Sequence, residues 1–311
     1  MTTQAMEPVR RAQGTPEPAK KTAFTKILLM TDFSDVSALA LEYALALARR
    51  YDARIYVAHV ITPDAYRMAE PAVAQMTYES IRQAAEQSIA DILVSGKLRG
   101  VPHEVLLEEG MLWPTVEGLI QEHAIDLVVV GTHGRGQFKK MILGSVAEEV
   151  FRQAGCAVLT VGPRTAADVP HKVKLQNILF ATDFGAGARQ AGRYAFSLAQ
   201  EHGADLTMLH VVEAGREYTE EQEQQIRREH IAWMKSEMPA GADDWCTVTF
   251  RVAFGKASEE ISEEARETKA DLIVMGAKST KGFAGHAPRT IAYNVVTKAK
   301  CPVLTVRGRW E

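Results

Sequence analysis

Along the chain, short aliphatic runs alternate with longer stretches in which apolar residues return every three to four positions. Lys26–Thr31 is a run of strand length, and from Val36 to Tyr51 the residues Leu39, Tyr43, Ala46 and Leu47 recur at helical spacing. Arg54–Ile61 reads as a second strand, Val73–Lys97 as a long helix, His103–Leu107 as a strand and Thr115–His123 as a helix opened by Pro114. Asp126–Val130 has the pattern of a buried strand, Ser145–Gln153 of a helix and Ala157–Val161 of a last strand. Strands that alternate with helices imply right-handed crossovers, hence a doubly wound parallel sheet of five strands with helices on both faces.

The same order then repeats. "KILLMTDFS" (Lys26–Ser34) returns as "NILFATDFG" (Asn177–Gly185), an offset of 151 from Asp32 to Asp183, and "VAHV" (Val57–Val60) returns as "MLHV" (Met208–Val211). Later blocks keep an offset of 145: "DLVVVG" (Asp126–Gly131) with "DLIVMG" (Asp271–Gly276), and "CAVLTV" (Cys156–Val161) with "CPVLTV" (Cys301–Val306). The second copy is therefore six residues shorter, and the loss falls between its second strand and Gly255. Each copy is too long for a solenoid unit and reads as a domain. The expected division is 1–22 as a flexible tail, 23–163 as the first domain, 164–174 as a linker and 175–311 as the second. The tail holds Pro8, Pro16, Pro18 and two basic pairs with almost nothing large and apolar, so it cannot offset its own ordering entropy.

Composition narrows the class. At about 150 residues per domain, 311 residues fit two domains. A hydrophobic fraction of 46% supports ordinary cores, and a net charge of −3 gives no reason to expect nucleic acid or an anionic membrane as partner. No apolar run approaches the roughly 18 residues of a spanning helix. The N-terminus lacks a charged-then-apolar secretory pattern. Cys156, Cys246 and Cys301 make neither a paired framework nor a metal cluster. The expectation is a cytoplasmic protein.

In an open α/β sheet ligands bind beyond the carboxyl ends of the strands, where strand order reverses. Two segments of the first copy lie at such ends: Thr31–Ser34 after the first strand, and Gly131–Ser145 after the fourth. The latter carries Gly131, Gly134, Gly136 and Gly144, which can adopt positive φ or admit a ligand close to the backbone. It leads into a helix whose first amides, at Ser145, Val146 and Ala147, form an anion site at the positive end of the helix dipole. Arg135, Lys139 and Lys140 add charge, and the sum suits a polyphosphate. Neither a Walker A loop nor a dinucleotide fingerprint is present.

Gly131-x-x-Gly134, nine residues, then Gly144-Ser145, with Asp32 after the first strand, resembles the nucleotide-binding branch of the universal stress protein (UspA) family, and both copies together resemble its tandem-domain members. The resemblance implies the adenine nucleotide alpha hydrolase-like fold and an ATP site, with or without Mg2+. Asp32 and Val60 would lie by adenine and ribose, and Gly131, His133, Gly134 and Arg135 by ribose and phosphates. Gly144, Ser145, Val146 and Ala147 would bind phosphates, and the strand-end residues Thr31 and Val130 complete the set. The resemblance also implies that the two last strands, Ala157–Val161 and Val303–Val306, pair edge to edge, here as an intrachain pseudo-dimer. Association into a true homodimer and an unknown protein partner are compatible with it.

Local explanations compete with these. Ser145-x-x-Glu148 is a capping box, and Asp32 or Ser34 could cap the helix near Val36. His59 and His210 stand at matching places and read as structural, and His133 has no Cys or His neighbours that would make it a metal ligand or general base. In the second copy Gly134 becomes Ser279, Gly144 becomes Arg289 and Ser145 becomes Thr290, with Pro288 just before. Asp183 and Val211 persist, so this copy is expected to lack the phosphate cradle. No catalytic residue is assigned. The leading function is an ATP-binding regulatory or stress-adaptation protein; the alternatives are a slow ATP hydrolase and an interaction scaffold without a ligand.

Overall fold

The structure, a computed structural model, describes residues 24–63, 66, 70–132, 143–163, 165, 175–213, 218–277 and 290–308. The tail 1–22, most of the 164–174 linker, His133, Gly134, Arg135, Gly136, Lys139, Lys140, Ser279, Pro288 and Arg289 lie outside the described residues.

The first half runs β1 (Lys26–Met30), α1 (Asp35–Tyr51), β2 (Arg54–Ile61), α2 (Pro71–Val94), β3 (His103–Glu109), α3 (Leu112–Glu122), β4 (Leu127–Gly131), α4 (Ser145–Gln153) and β5 (Ala157–Val161). The second repeats the order: β6 (Asn177–Ala181), α5 (Ala186–His202), β7 (Asp205–Val212), α6 (Glu220–Ser236), β8 (Val248–Phe254), α7 (Ala257–Glu267), β9 (Leu272–Ala277), α8 (Ile291–Lys298) and β10 (Val303–Arg307). All ten strands form one sheet in the order β3-β2-β1-β4-β5-β10-β9-β6-β7-β8. Neighbours within each half are parallel; β5 and β10 alone pair antiparallel, Val303 with Thr160, Leu304 with Leu159, Thr305 with Val158. The two five-stranded doubly wound sheets therefore join through their last strands, as expected.

At this seam Leu159 meets its own repeat equivalent Leu304, so the pseudo-two-fold axis passes between them. The side chains obey the same symmetry. Thr160 Oγ1 donates to the Val303 carbonyl at 3.1 Å, and Thr305 Oγ1 donates to the Val158 carbonyl at 3.3 Å. Both leucines are buried. Alternate residues of each strand feed two cores, one on each face of the sheet, and both cores run across the seam. One holds α1 and α5, with Phe24 edge-on to Tyr51 and stacked on Tyr194; the other holds α4 and α8.

Two helices and a strand differ by two or more residues from the sequence expectation. The helix expected over Val73–Lys97 starts at Pro71, where the fixed φ of a first-turn proline suits a helix start, and ends at Val94. The helix expected to open at Pro114 begins two residues earlier at Leu112, since a proline in the first turn gives up no intrahelical bond. The strand His103–Leu107 extends to Glu109 because it pairs with β2 as far as Ile61.

Candidate functional site

In each half the strand order reverses between two neighbouring strands, β1 and β4 in the first and β6 and β9 in the second, so that the crevice of the fold opens at their carboxyl ends. β1 and β4 pair in register from Ile27 with Leu127 to Met30 with Val130, which brings Thr31 and Asp32 alongside Gly131 and Thr132.

The turn after β1 is built almost entirely from local hydrogen bonds. Thr31 N–H donates to the Ala58 carbonyl at 2.9 Å, and Thr31 Oγ1 receives Phe33 N–H at 3.0 Å. Asp32 Oδ1 receives both the N–H of Ser34, at 3.1 Å, and its hydroxyl, at 2.6 Å. Ser34 Oγ in turn accepts from Ser37 N–H at 3.2 Å, so Ser34, not Asp32, is the N-cap of α1. Phe33 takes the left-handed conformation, φ 61°, with its ring 4.7 Å from His59. His59 Nδ1–H donates to the Thr31 carbonyl at 2.7 Å. The repeat copies the device: Phe184 has φ 59°, its ring is 4.7 Å from His210, His210 Nδ1 reaches the Thr182 carbonyl at 2.8 Å, and Asp183 Oδ1 receives Gly185 N–H at 2.9 Å. A side chain at positive φ is strained, and in each half a ring contact with the strand histidine and an aspartate turn hold it there. The turn fixes the aspartate through one oxygen, and Oδ2 takes no part in these bonds.

The opposite wall comes from β4 and α4. Val130 and Thr132 are buried and Val60 is half-buried. A Cβ on Gly131 would meet Val36 Cγ1 at 3.1 Å and Ser37 N at 3.2 Å, so this glycine serves the packing of α1 on β4. Thr132 N–H donates to the Val161 carbonyl at 2.8 Å, and its own carbonyl receives Gly144 N–H at 2.8 Å, which pins the start of α4 to the end of β4. Gly144 is the N-cap, at φ −63° and ψ 157°, a conformation open to any residue; positive φ therefore explains neither glycine. The capping box that competes with the phosphate reading at Ser145 and Glu148 is not formed. Ser145 is the first helical residue, its side chain exposed, and among the described residues no side chain caps α4. The amides of Ser145, Val146 and Ala147 thus lie in the first turn, where an α-helix supplies no acceptor of its own. Ala147 is buried on the core side, so only its backbone can face a ligand.

The second copy differs at this point. α8 starts one position later than its repeat equivalent, because Thr290 has become the N-cap, and its Oγ1 accepts from Tyr293 N–H at 3.2 Å. The first turn of α5 also sits closer on β9 than α1 does on β4: a Cβ on Gly276 would meet Ala188 N at 2.6 Å.

Three features escaped the sequence reading. Asp126 and Asp271 brace the two sheets, Asp126 Oδ2 accepting Thr25 N–H at 2.7 Å and Asp271 Oδ2 accepting Gln176 N–H at 2.7 Å; the repeated "DL" pairs were the available signal. His230 of α6 stacks on His210 at 4.6 Å, beside Trp233 and Phe184. Burial pushes His210 below the ordinary imidazole value, and the neighbouring His230 acts in the same direction. Third, Tyr293 of the second half reaches the first, its hydroxyl accepting Leu143 N–H at 3.4 Å. Among the described residues no group of three or more His, Cys, Asp or Glu is placed to hold a metal ion, and none of the helices is long and apolar enough to cross a membrane.

Sheet order, crossovers and switch-point turns define a tandem pair of doubly wound α/β domains with a topological switch point in each half. The universal stress protein family profile matches residues 23–162 and 174–307, and the chain belongs to that family. A universal stress protein of Mycolicibacterium smegmatis is 28% identical over 300 residues, covering 91% of this chain and 97% of that protein. One from Thermus aquaticus is 34% identical over 140 residues, 44% of this chain and 98% of its own length. The crystal structure of a universal stress protein from Archaeoglobus fulgidus aligns with a TM-score of 0.67 at 20% identity, over 91% of this chain and 98% of that one, a likeness of fold.

Proposed function

We infer that the first half binds an adenine nucleotide, ATP in our reading, and that the chain is a regulatory stress-adaptation protein whose state follows occupancy of that crevice. The observation that carries this is the contrast between the two equivalent helices. α8 satisfies an N-terminal amide with its own Thr290, whereas α4 begins at a glycine and offers its first-turn amides uncapped by any described side chain. Such amides, at the positive end of the helix dipole and across the crevice from Asp32, have the chemistry of a phosphate cradle. The donors therefore fit the group the family resemblance implies. Ser145, Val146 and Ala147 would hold phosphates through backbone N–H, Asp32 and Val60 would flank the base and ribose, and Thr31, Val130 and Gly131 would shape the floor; His133, Gly134 and Arg135, which the resemblance adds, lie outside the described residues.

The second half keeps the Asp183 turn without the uncapped helix start, and in our reading it does not hold ATP in this manner. Titration calorimetry on the full chain, with mass spectrometry of the nucleotide retained on purification, tests both statements. One ATP per chain is expected, lost in Gly144→Arg, which copies the residue found in the second half. No binding by the wild-type chain, or two equal sites, would refute the reading.

A further inference from the structure

The two halves do more than share a sheet edge. Antiparallel pairing of β5 with β10 places α4 and α8 on the same face, in one core. Across that seam Tyr293 lays its ring edge-on to Phe151 of α4, centroids 6.3 Å apart and planes at 73°, while its hydroxyl accepts the N–H of Leu143. Leu143 is buried and directly precedes Gly144, the N-cap of α4. The approach to that helix start is thereby held from two sides: Thr132 of the same half takes the Gly144 N–H, and Tyr293 of the other half takes the Leu143 N–H.

We propose that Tyr293 is a positioning residue for the nucleotide site of the opposite half, through which the second domain sets the affinity of the first. This deepens the reading of the α4 amides as a phosphate cradle and rests on it. The contact runs in one direction only. The repeat equivalent of Leu143 is Pro288, which has no N–H to give, and the equivalent of Tyr293 is Glu148. Tyr293 is itself held in place, because its N–H is bound by Thr290, the same contact that closes the start of α8. The residue that caps the second half's helix thus also fixes the tyrosine that supports the first half's. A backbone segment held in place before the ligand arrives lowers the ordering cost of binding, so its release weakens affinity without removing any ligand contact.

Tyr293→Phe keeps the ring against Phe151 and deletes only the hydroxyl. In the full chain it is expected to raise the Kd for ATP about three- to tenfold, the scale of one neutral hydrogen bond. Amide hydrogen exchange without nucleotide should accelerate at Leu143–Ala147 and stay unchanged in β1, β4 and β5. Wild-type binding with equal affinity in Tyr293→Phe would overturn the proposal and leave the nucleotide reading intact. Unchanged exchange at Leu143 would also overturn it, independently of any ligand. A wild-type chain that binds no ATP would remove the nucleotide reading and this proposal together.

Discussion

At the scale of single residues, the glycines near the ends of β4 and β9 show how one repeated letter can carry a packing role inside a motif read for chemistry. Gly131 and Gly276 both survive in the repeat, although the second half has exchanged the rest of the loop. Their shared reason is the helix that follows the first strand of each half, which leaves no room for a Cβ. Gly131→Ala is expected to cost about 1–3 kcal/mol through overpacking against Val36 and the Ser37 amide, which a Cβ would meet at 3.1 and 3.2 Å, a gap that a shift of a few tenths of an ångström relieves. Gly276→Ala should cost more, since the Ala188 backbone would stand only 2.6 Å from the new Cβ. Urea denaturation of the two variants checks the order, and the reverse order would refute the packing account. A second residue-scale expectation concerns His202. Its Nδ1 accepts Leu175 N–H at 3.3 Å, and burial, helped by the Arg50 charge, lowers its pKa to about 4. A folded value below the unfolded 6.5 means that the unfolded chain binds the extra proton first. The stabilisation is thus complete above about pH 6.5 and is lost as pH falls toward 4, at most about 2–3 kcal/mol. His202→Asn keeps an acceptor at the Nδ1 position and cannot titrate there, so its stability should fall less between pH 7 and pH 4.5. Equal losses in the two proteins would argue against His202 as the cause.

At the scale of elements, the sequence was most legible where period and repetition agreed. α4 and β5 lie over the residues their hydrophobic pattern indicates, and the seam was foreseeable from the family resemblance, to which the apolar last strand of each half, with its open edge, conforms. Helix starts were less legible, because a cap depends on where the incoming backbone is tied. Ser145 and Glu148 have the letters of a capping box, yet the Thr132 carbonyl holds Gly144 N–H and moves the N-cap to Gly144. Thr290, one repeat later, does act as the cap. Letters alone could not separate these cases. The long-range partner of Leu143 was hidden for a similar reason, since nothing local in "AYNVV" marks Tyr293 as reaching 150 positions back. The seam itself allows a direct test. Leu159→Lys or Leu304→Lys would put an ammonium group on the pseudo-two-fold axis among buried side chains, at a cost of about 3 kcal/mol or more. Small-angle scattering should show the halves separated, or the denaturation midpoint should fall steeply. An unchanged profile together with an unchanged midpoint would contradict the axis through these leucines.

At the scale of the whole molecule, a single ten-stranded sheet with both cores continuous across the seam leaves little reason for the halves to unfold apart. Arg50 of α1 bonds the Glu201 carbonyl at the end of α5, and Arg307 of β10 bonds the Phe151 carbonyl at the end of α4, so each face of the seam has its own polar tie. A ligand held by the first half alone should therefore stabilise the second half as well. On the proposed reading, ATP at about 100 times its Kd would add roughly 2.7 kcal/mol to whatever unfolds cooperatively with its site. Trp113→Phe removes the tryptophan of the first half and leaves Trp233, Trp245 and Trp310, so fluorescence then reports on the second half only. In that variant, saturating ATP is expected to move the fluorescence midpoint in urea by the same increment as the far-ultraviolet circular dichroism midpoint, in one transition. If circular dichroism instead splits into two steps and only the step not seen by fluorescence moves, the halves are energetically separate. The shared sheet would then join them without coupling them, and the second half would have no thermodynamic means of reading the crevice of the first.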